Sequence, residues 1–496
     1  MRIKFLLPLL TLLAVACSDY ESFSDNPDYR LAFSHDTIAF DTLISTIPSS
    51  TKTLYAFNNN GNGMRINTIQ LENGAASHFR VNVDGRFLSG GIWHNFEVLR
   101  HDSLVIRIEM TPPEAGTNEP LYFKDRLLFT LENGAQQSVV LSGGAIDAYI
   151  ERDGIIIDSD ETLLTDKPYV IYDSLVVKQG ATLTLIEGTT LMFHDKAALH
   201  VYGKLLVKGS LEKPVVLRGD RMDHMFDYLL YDNTPSRWEG IIIHRGSYGN
   251  ELFHCDLHSS CFGIICEDTQ ELMPDETKPS VTIDCSVLHN IGGDGLQFNN
   301  CVSKVTNTQI SNTLGHTVNL NGGSHTFVYC TVAQFYPFTA NRGNALNLVS
   351  CAEGEEYGLL RKAHFINSVI TGYGEDVIMG ENIPSDGSCN YLFHHCFLNT
   401  PVVDDIEHFV GCIFDRDKES EDEEKLVRDE NFTLFDTENF IYDFTPKAES
   451  QIRSLADKSY PDVPVYDMKG ISRLDDEGPD AGCYEYVAPK EEEVTQ

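Results

Sequence analysis

Three short turns carry the side chains best suited to chemistry: Gly292-Gly293-Asp294-Gly295, Gly315-His316-Thr317 and Asn341-Arg342-Gly343-Asn344. A carboxylate, an imidazole and a guanidinium are groups that take up or return a proton and neutralise an anionic substrate. If these turns stack at corresponding corners of a repeating fold, Asp294, His316 and Arg342 form an outward row. The plainer use of the same residues is that Asp and Asn favour tight turns, with His and Arg exposed beside them. A second stretch, Asp220 to Arg237, gathers Met222, His224, Phe226, Asp227, Tyr228, Tyr231 and Asp232 ahead of Trp238. Aromatics beside carboxylates can hold sugars by stacking and hydrogen bonding, although such a loop more often covers a flank of its neighbours. The acidic stretches 267–278 and 352–357 suit cations or plain solvation. Asp404-Asp405 is a carboxylate pair in a late, irregular segment. Cys261 and Cys266 are five apart with no Cys-x-x-Cys, and no compact Cys/His cluster has zinc spacing. No cofactor or metal is implied; calcium is compatible with the acidic balance, but nothing indicates it.

The elements that must position these residues repeat. Phe253-His254-Cys255-Asp256-Leu257 leads a series of an apolar residue, a small Cys or Asn two places on, and usually another apolar residue. It returns at Ile283–Val287, Val305–Gln309, Val328–Val332, Phe365–Val369 and Val410–Phe414. Cys285 to Asn307 is 22 residues, and Asn307 to Cys330 is 23. A repeat of this length, with period-two alternation and Gly/Asn turns, predicts a stacked β solenoid. Coils stacked about 4.8 Å apart would place Cys255, Cys285, Asn307, Cys330, Asn367, Cys396 and Cys412 in one inward ladder. Cys396 fits less cleanly, because His394 stands where an apolar residue is expected. The chain has 12 Cys, and 11 remain once Cys17 is set apart. The ladder favours small buried free thiols over a disulfide framework.

The balance of 37 basic and 74 acidic residues gives a formal charge of −37, which disfavours nucleic acid and anionic lipid headgroups as partners. Residues 1–17 read as a signal segment: a basic start, an apolar run from Phe5 to Val15 too short to span a bilayer, then Ala14-Val15-Ala16-Cys17. These residues resemble a bacterial lipobox, which implies acylation at Cys17 and anchoring in the outer membrane. Ser18-Asp19-Tyr20-Glu21 resembles the acidic export signal of surface lipoproteins of Bacteroidota type. Residues 18–30 form a tether. Residues 31–148 show alternating strands such as Thr53–Phe57, Phe79–Val83 and Leu104–Ile108, punctuated by Asn/Gly turns, which predicts a β-sandwich. The sandwich is similar to a bacterial immunoglobulin-like module and serves as a spacer, with Trp93 a core or edge packing residue.

Residues 149–414 are assigned to the solenoid. Gly180-Ala181-Thr182-Leu183-Thr184-Leu185 and Trp238-Glu239-Gly240-Ile241 closely resemble the opening coils of right-handed parallel β-helix surface proteins and polysaccharide-active enzymes. In such enzymes, hydrolases use clustered Asp residues, and lyases a Lys or Arg base. The paired Asp and Arg-x-Lys signatures of the pectin hydrolases are missing here. Residues 415–430 are an acidic loop, 431–487 a C-terminal cap and 488–496 a disordered tail. Asp467-Met468-Lys469-Gly470-Ile471-Ser472-Arg473, followed by Pro479-Asp480-Ala481-Gly482-Cys483-Tyr484-Glu485, resembles the terminal segment of surface β-helix proteins. That resemblance implies a cap locked by Asp467 or Asp480 on Arg473. The fold expectation is all-β, a β-sandwich followed by a right-handed parallel β-helix with a C-terminal cap. The functional expectation is an outer-membrane-anchored surface lipoprotein that binds a polysaccharide or a surface protein without catalysis. The alternative is a polysaccharide lyase or glycoside hydrolase.

Overall fold

The computed structural model describes residues 21–117, 119–226, 228–269, 275–351, 358–383, 389–416, 431–475 and 477–488. Cys17 and the signal segment, Asp227, residues 352–357, most of the acidic loop and the last residues of the tail lie outside them. The chain divides into two compact units, 1–147 and 148–496.

The first unit is a β-sandwich of two five-stranded sheets. Lys52–Phe57 and Ser103–Met110 run antiparallel in one sheet, and Met64–Leu71 and Leu121–Leu131 in the other. Alternation does the sorting: Leu54, Val81 and Ile106 face Ile66, Phe129 and Leu141 in one buried cluster. Trp93 lies on the edge strand Ile92–Val98 and is 39% exposed, so it is an edge residue.

The second unit is a parallel β-helix. Each of the first nine coils contributes one strand to each of three parallel sheets, here called A, B and C; the tenth adds strands to A and C, and the last to A. Among the described residues, sheet A has eleven strands, from Tyr149–Glu151 to Ile413–Arg416. Sheet B has nine, from Ile155–Ile157 to Ile378–Glu381, and sheet C ten, from Glu161–Thr162 to Phe409–Val410. Like residues stack coil on coil. Ile241, Ile264, Leu296, Val318 and Leu346 form one inward row in sheet B. Phe327, Phe365, Phe393 and Phe409 form another in sheet C, with neighbouring ring centroids 4.8, 5.3 and 4.9 Å apart. These spacings follow the coil-to-coil rise, so the rings pack as flat layers.

The corner between sheets C and A corrects the expected ladder. Register places Cys285 beside Asn307, Tyr329, Asn367 and His395, whereas Cys330 lies beside Thr308 and Ser368. The single ladder is therefore two adjacent rows. Cys255, Ser286, Thr308, Cys330, Ser368, Cys396 and Cys412 open the sheet A strands, where only a small side chain fits the narrow bend. One residue earlier, His254, Cys285, Asn307, Tyr329, Asn367 and His395 all adopt left-handed backbone, with φ between 45° and 54°. Asn tolerates that conformation best after Gly, and Gly411 continues the row at φ 65°. All eleven described cysteines are free thiols. Burial pushes the thiols of Cys255 and Cys330 far up, and that of Cys285 up to about 12.

The C-terminal cap covers a side of the solenoid. It lies along the outer face of sheet A, where Phe432, Phe444, Ile452 and Cys483 pack on Ala333, Val369 and Phe397. Its polar groups dock on the left-handed row. Asn367 exchanges hydrogen bonds with Asp457, and the Gly482 N–H donates to the Asn367 carbonyl at 2.8 Å. Arg473 is 1% exposed; Nη2 donates to Asn307 Oδ1 at 2.9 Å and the guanidinium lies 3.7 Å from the Tyr329 ring centre. The expected lock is also corrected. Arg473 forms its ion pair with Glu485, while the Asp467 and Asp480 carboxylates accept backbone N–H groups of Ile471 and Glu485 and of Ser454 and Tyr486. The buried Asp467 and Asp480 carboxylates are spent on orphan loop N–H donors, which leaves the guanidinium to Glu485 and to the Asp480 and Gly482 carbonyls.

Candidate functional site

Asp294 and His316 do meet, at the corner between sheets A and B. Asp294 Oδ1 accepts the His316 backbone N–H at 2.8 Å, and Oδ2 accepts from Asn319 Nδ2 at 2.7 Å. His316 Nδ1 accepts the Asn344 N–H at 3.0 Å. Both side chains therefore staple successive turns together. Arg342 does not join them: it donates to the Tyr336 carbonyl and lies over the Tyr373 ring, and Asn344 stands in the row instead. The Asp405 carboxylate is likewise taken, by His408 and Tyr391.

The loop 220–237 folds over the early coils. The Asp232 carbonyl accepts from Ser259 Oγ and Asn290 Nδ2. Its short hairpin, His224–Phe226 against Leu229–Leu230, leaves Phe226 and Tyr228 stacked and exposed.

Where this loop meets sheet A, the coil register assembles a cluster that the sequence reading missed. His258 stands directly opposite His289 on the next coil, and Asp256 shares their outward face. Asp256 Oδ1 is 2.9 Å from His258 Nδ1 and 3.3 Å from His289 Nε2. The other nitrogen of His258 faces Asp232 Oδ1 at 3.6 Å, and Asp232 is held in turn by Arg218. Burial pushes the Asp256 carboxyl up, but the two imidazoles outweigh this and hold it well below the usual carboxylate range. Burial pulls the His258 imidazole down, and the carboxylates of Asp256 and Asp232 overcome this, lifting it to about 9. A second cluster, His394, His395 and Asp457, is spent on docking. His394 Nε2 meets Asp457 Oδ2 at 2.9 Å and His395 Nδ1 meets the Leu455 carbonyl at 2.8 Å. The first of these bonds explains why His394 replaces an apolar residue in the repeat.

The outer face of sheet C carries a groove of about 420 Å³. Lys304, Thr326 and His364 follow one another across three coils along its floor, with Lys362 beside them and Tyr460 and Glu276 at the walls. Neither lysine ammonium makes a hydrogen bond or ion pair among the described residues. Glu276 accepts from Ser324 Oγ at 3.0 Å. His364 Nε2 is buried without a hydrogen-bond partner, and burial pulls the imidazole below its usual range.

By architecture the chain is a β-sandwich joined to a parallel β-helix whose sheet A is covered by its own C-terminal segment. No protein-family model matches it, and no curated protein does. Among solved structures it is similar to an ASH/PapD-like domain of human CEP192, at 13% identity and TM-score 0.17, over 25% of this chain and 90% of that one. It is also similar to a family 123 glycoside hydrolase from Clostridium perfringens that hydrolyses glycolipid glycans, at 4% identity and TM-score 0.18, over 25% of this chain and 31% of that one. Likenesses this distant carry no functional argument.

Proposed function

We propose that the chain is a lipid-anchored outer-membrane protein of Bacteroidota type, displayed at the cell surface, which binds an acidic glycan along sheet C without cleaving it. The observation that carries this reading is the pair of unpaired ammoniums, Lys304 and Lys362, in one groove of a chain with net charge −37. The lining also holds the Glu276 and Asp462 carboxylates, so the two ammoniums favour a ligand whose anionic groups fall at Lys304 and Lys362 themselves. At physiological salt the distant acidic residues are screened beyond about 8 Å. The ligand class that fits is a glycan with spaced carboxylates, because a dense polyanion meets the repulsion of the whole surface. The hydroxyls of Ser324, Thr326 and Tyr460 in the groove's lining suit sugar hydroxyls.

The lyase reading draws support from one feature of the same groove. The depressed pKa of His364 keeps an imidazole neutral and able to accept a proton beside two cations. One panel separates the readings: retention on neutral and uronate-bearing glycans, with ultraviolet absorbance of unsaturated products followed in parallel. Binding to the acidic glycans, weakened at least tenfold in Lys304→Ala/Lys362→Ala and without product absorbance, supports the non-catalytic reading. Equal retention by wild type and double variant rejects it. Loss of membrane fractionation in Cys17→Ala tests the anchor.

A further inference from the structure

We infer that Asp256, His258 and His289 form a binding site for one divalent transition-metal ion of the zinc class, on the outer face of sheet A. A tetrahedral ion with bonds of about 2.0–2.1 Å sets its ligands about 3.3 Å apart. Asp256 Oδ1 already lies 2.9 Å from His258 Nδ1 and 3.3 Å from His289 Nε2, and one ligand atom from each residue falls within 4.8 Å of the others. Two imidazoles and one carboxylate suit zinc and its neighbours better than calcium or magnesium, which take oxygen donors.

The surroundings supply an independent indication. His258 is 6% exposed, and its Nε2 has no hydrogen-bond partner. That nitrogen is aimed at Asp232 Oδ1, 3.6 Å away, while Arg218 Nη2 holds the same oxygen at 2.5 Å. Closing that gap by a few tenths of an ångström lets the carboxylate accept the far N–H of a ligating histidine and fix its tautomer, so that Nδ1 presents its lone pair to the ion. Asp232 comes from the loop 220–237, and the ion therefore ties that cover to the coil beneath it. The side chains of Asp256 and His289 are 33% and 27% exposed, which leaves a route for the ion and a fourth position for water. The site lies on a different sheet from the groove and does not depend on its function.

The test uses the full chain, stripped with EDTA, dialysed, and treated with iodoacetamide to block accessible thiols. Calorimetric titration with zinc chloride is followed by Co²⁺ titration read by visible absorption. Expected is one equivalent of zinc bound at micromolar or tighter affinity, with affinity falling at least tenfold in His289→Ala and in Asp256→Asn. Asp232→Asn should weaken binding ten- to a hundredfold at unchanged stoichiometry. Trp238 fluorescence establishes that each variant is folded, and Asp256→Asn, which preserves shape, stands in if His289→Ala is not. No stoichiometric binding by wild type, or equal affinity in wild type and both ligand variants, overturns the assignment.

Discussion

Acidification from pH 7 to pH 5 should weaken the β-helix most of all through the imidazole of His325. This residue lies in the sheet C strand Gly323–Val328 and is 0% exposed. Nε2 donates to the Gly322 carbonyl at 2.8 Å, so Nδ1 is left to accept from Ser303 Oγ at 2.9 Å. Both nitrogens are satisfied only in the neutral ring. Burial accordingly holds its pKa down at about 4, against 6.5 for the free side chain, and the Arg361 charge adds to the effect. The folded chain refuses a proton that the unfolded chain accepts. The stabilisation is therefore complete above pH 6.5 and is lost as pH falls from 6.5 through about 4. The whole difference is worth about 3 kcal/mol, of which about 2 kcal/mol is gone by pH 5. Urea unfolding followed by Trp238 fluorescence in a Trp93→Phe background reads the second unit. Subtracting the profile of His325→Asn removes the other histidines, which titrate alike in both proteins. Wild type should lose about 2 kcal/mol more than the variant between pH 7 and pH 5. Parallel profiles would refute the neutral buried imidazole.

Three further substitutions probe the architecture. Phe365→Ala removes the central ring of the aromatic row, stacked on Phe327 and Phe393, and should cost about 3–5 kcal/mol by the same urea assay. Tyr228→Ala, 68% exposed before substitution, should cost less than about 0.5 kcal/mol. Arg473→Met removes the partner of Glu485, whose carboxyl is pushed up to about 8 by burial, and should destabilise the covering segment by about 1–3 kcal/mol through the hydrogen bonds lost. Proteolysis within residues 431–487 should then accelerate, and Arg473→Met/Glu485→Leu should recover part of the loss.

Most of the fold was legible because the solenoid writes its geometry into simple alternation. The rows through Ile264, Leu296, Val318 and Leu346 follow from period two and coil length alone. The corner was misread by one residue. The steps of 22 from Cys285 to Asn307 and 23 from Asn307 to Cys330 differ by the residue that separates the two rows. Cys and Asn look equivalent as small residues in the repeat, although one fills a bend and the other tolerates left-handed backbone. That slip also hid the His pair: with Cys255 opposite Ser286, both His258 and His289 fall three residues further on, but counted from Cys285 they do not match. Arg342 was misplaced for a different reason, since the chain before Asn344 leaves the corner to reach Tyr336 and Tyr373. The ion pair of Arg473 with Glu485, and the recruitment of Asp232 by the cluster, depend on tertiary placement with no local signal.

The two covers of sheet A explain where polar chemistry can survive on this face. From Gln309 onward the outward residues are Thr331, Ala333, Val369 and Phe397, which the C-terminal segment buries with Phe432, Phe444 and Cys483 or meets with single hydrogen bonds. An apolar cover cannot extend over Asp256, His258 and His289 without stranding their charges, at a cost of several kcal/mol for each unpaired ion. The chain instead brings a different cover there, the loop 220–237, whose Arg218-supported Asp232 matches the imidazole beneath it. Sheet A is thereby covered over its later coils by an apolar segment and beside Asp256, His258 and His289 by a polar loop, which leaves those side chains partly open. The outer faces of sheets B and C remain for a long ligand, and the groove on sheet C joins two unpaired cations to side-chain hydroxyls.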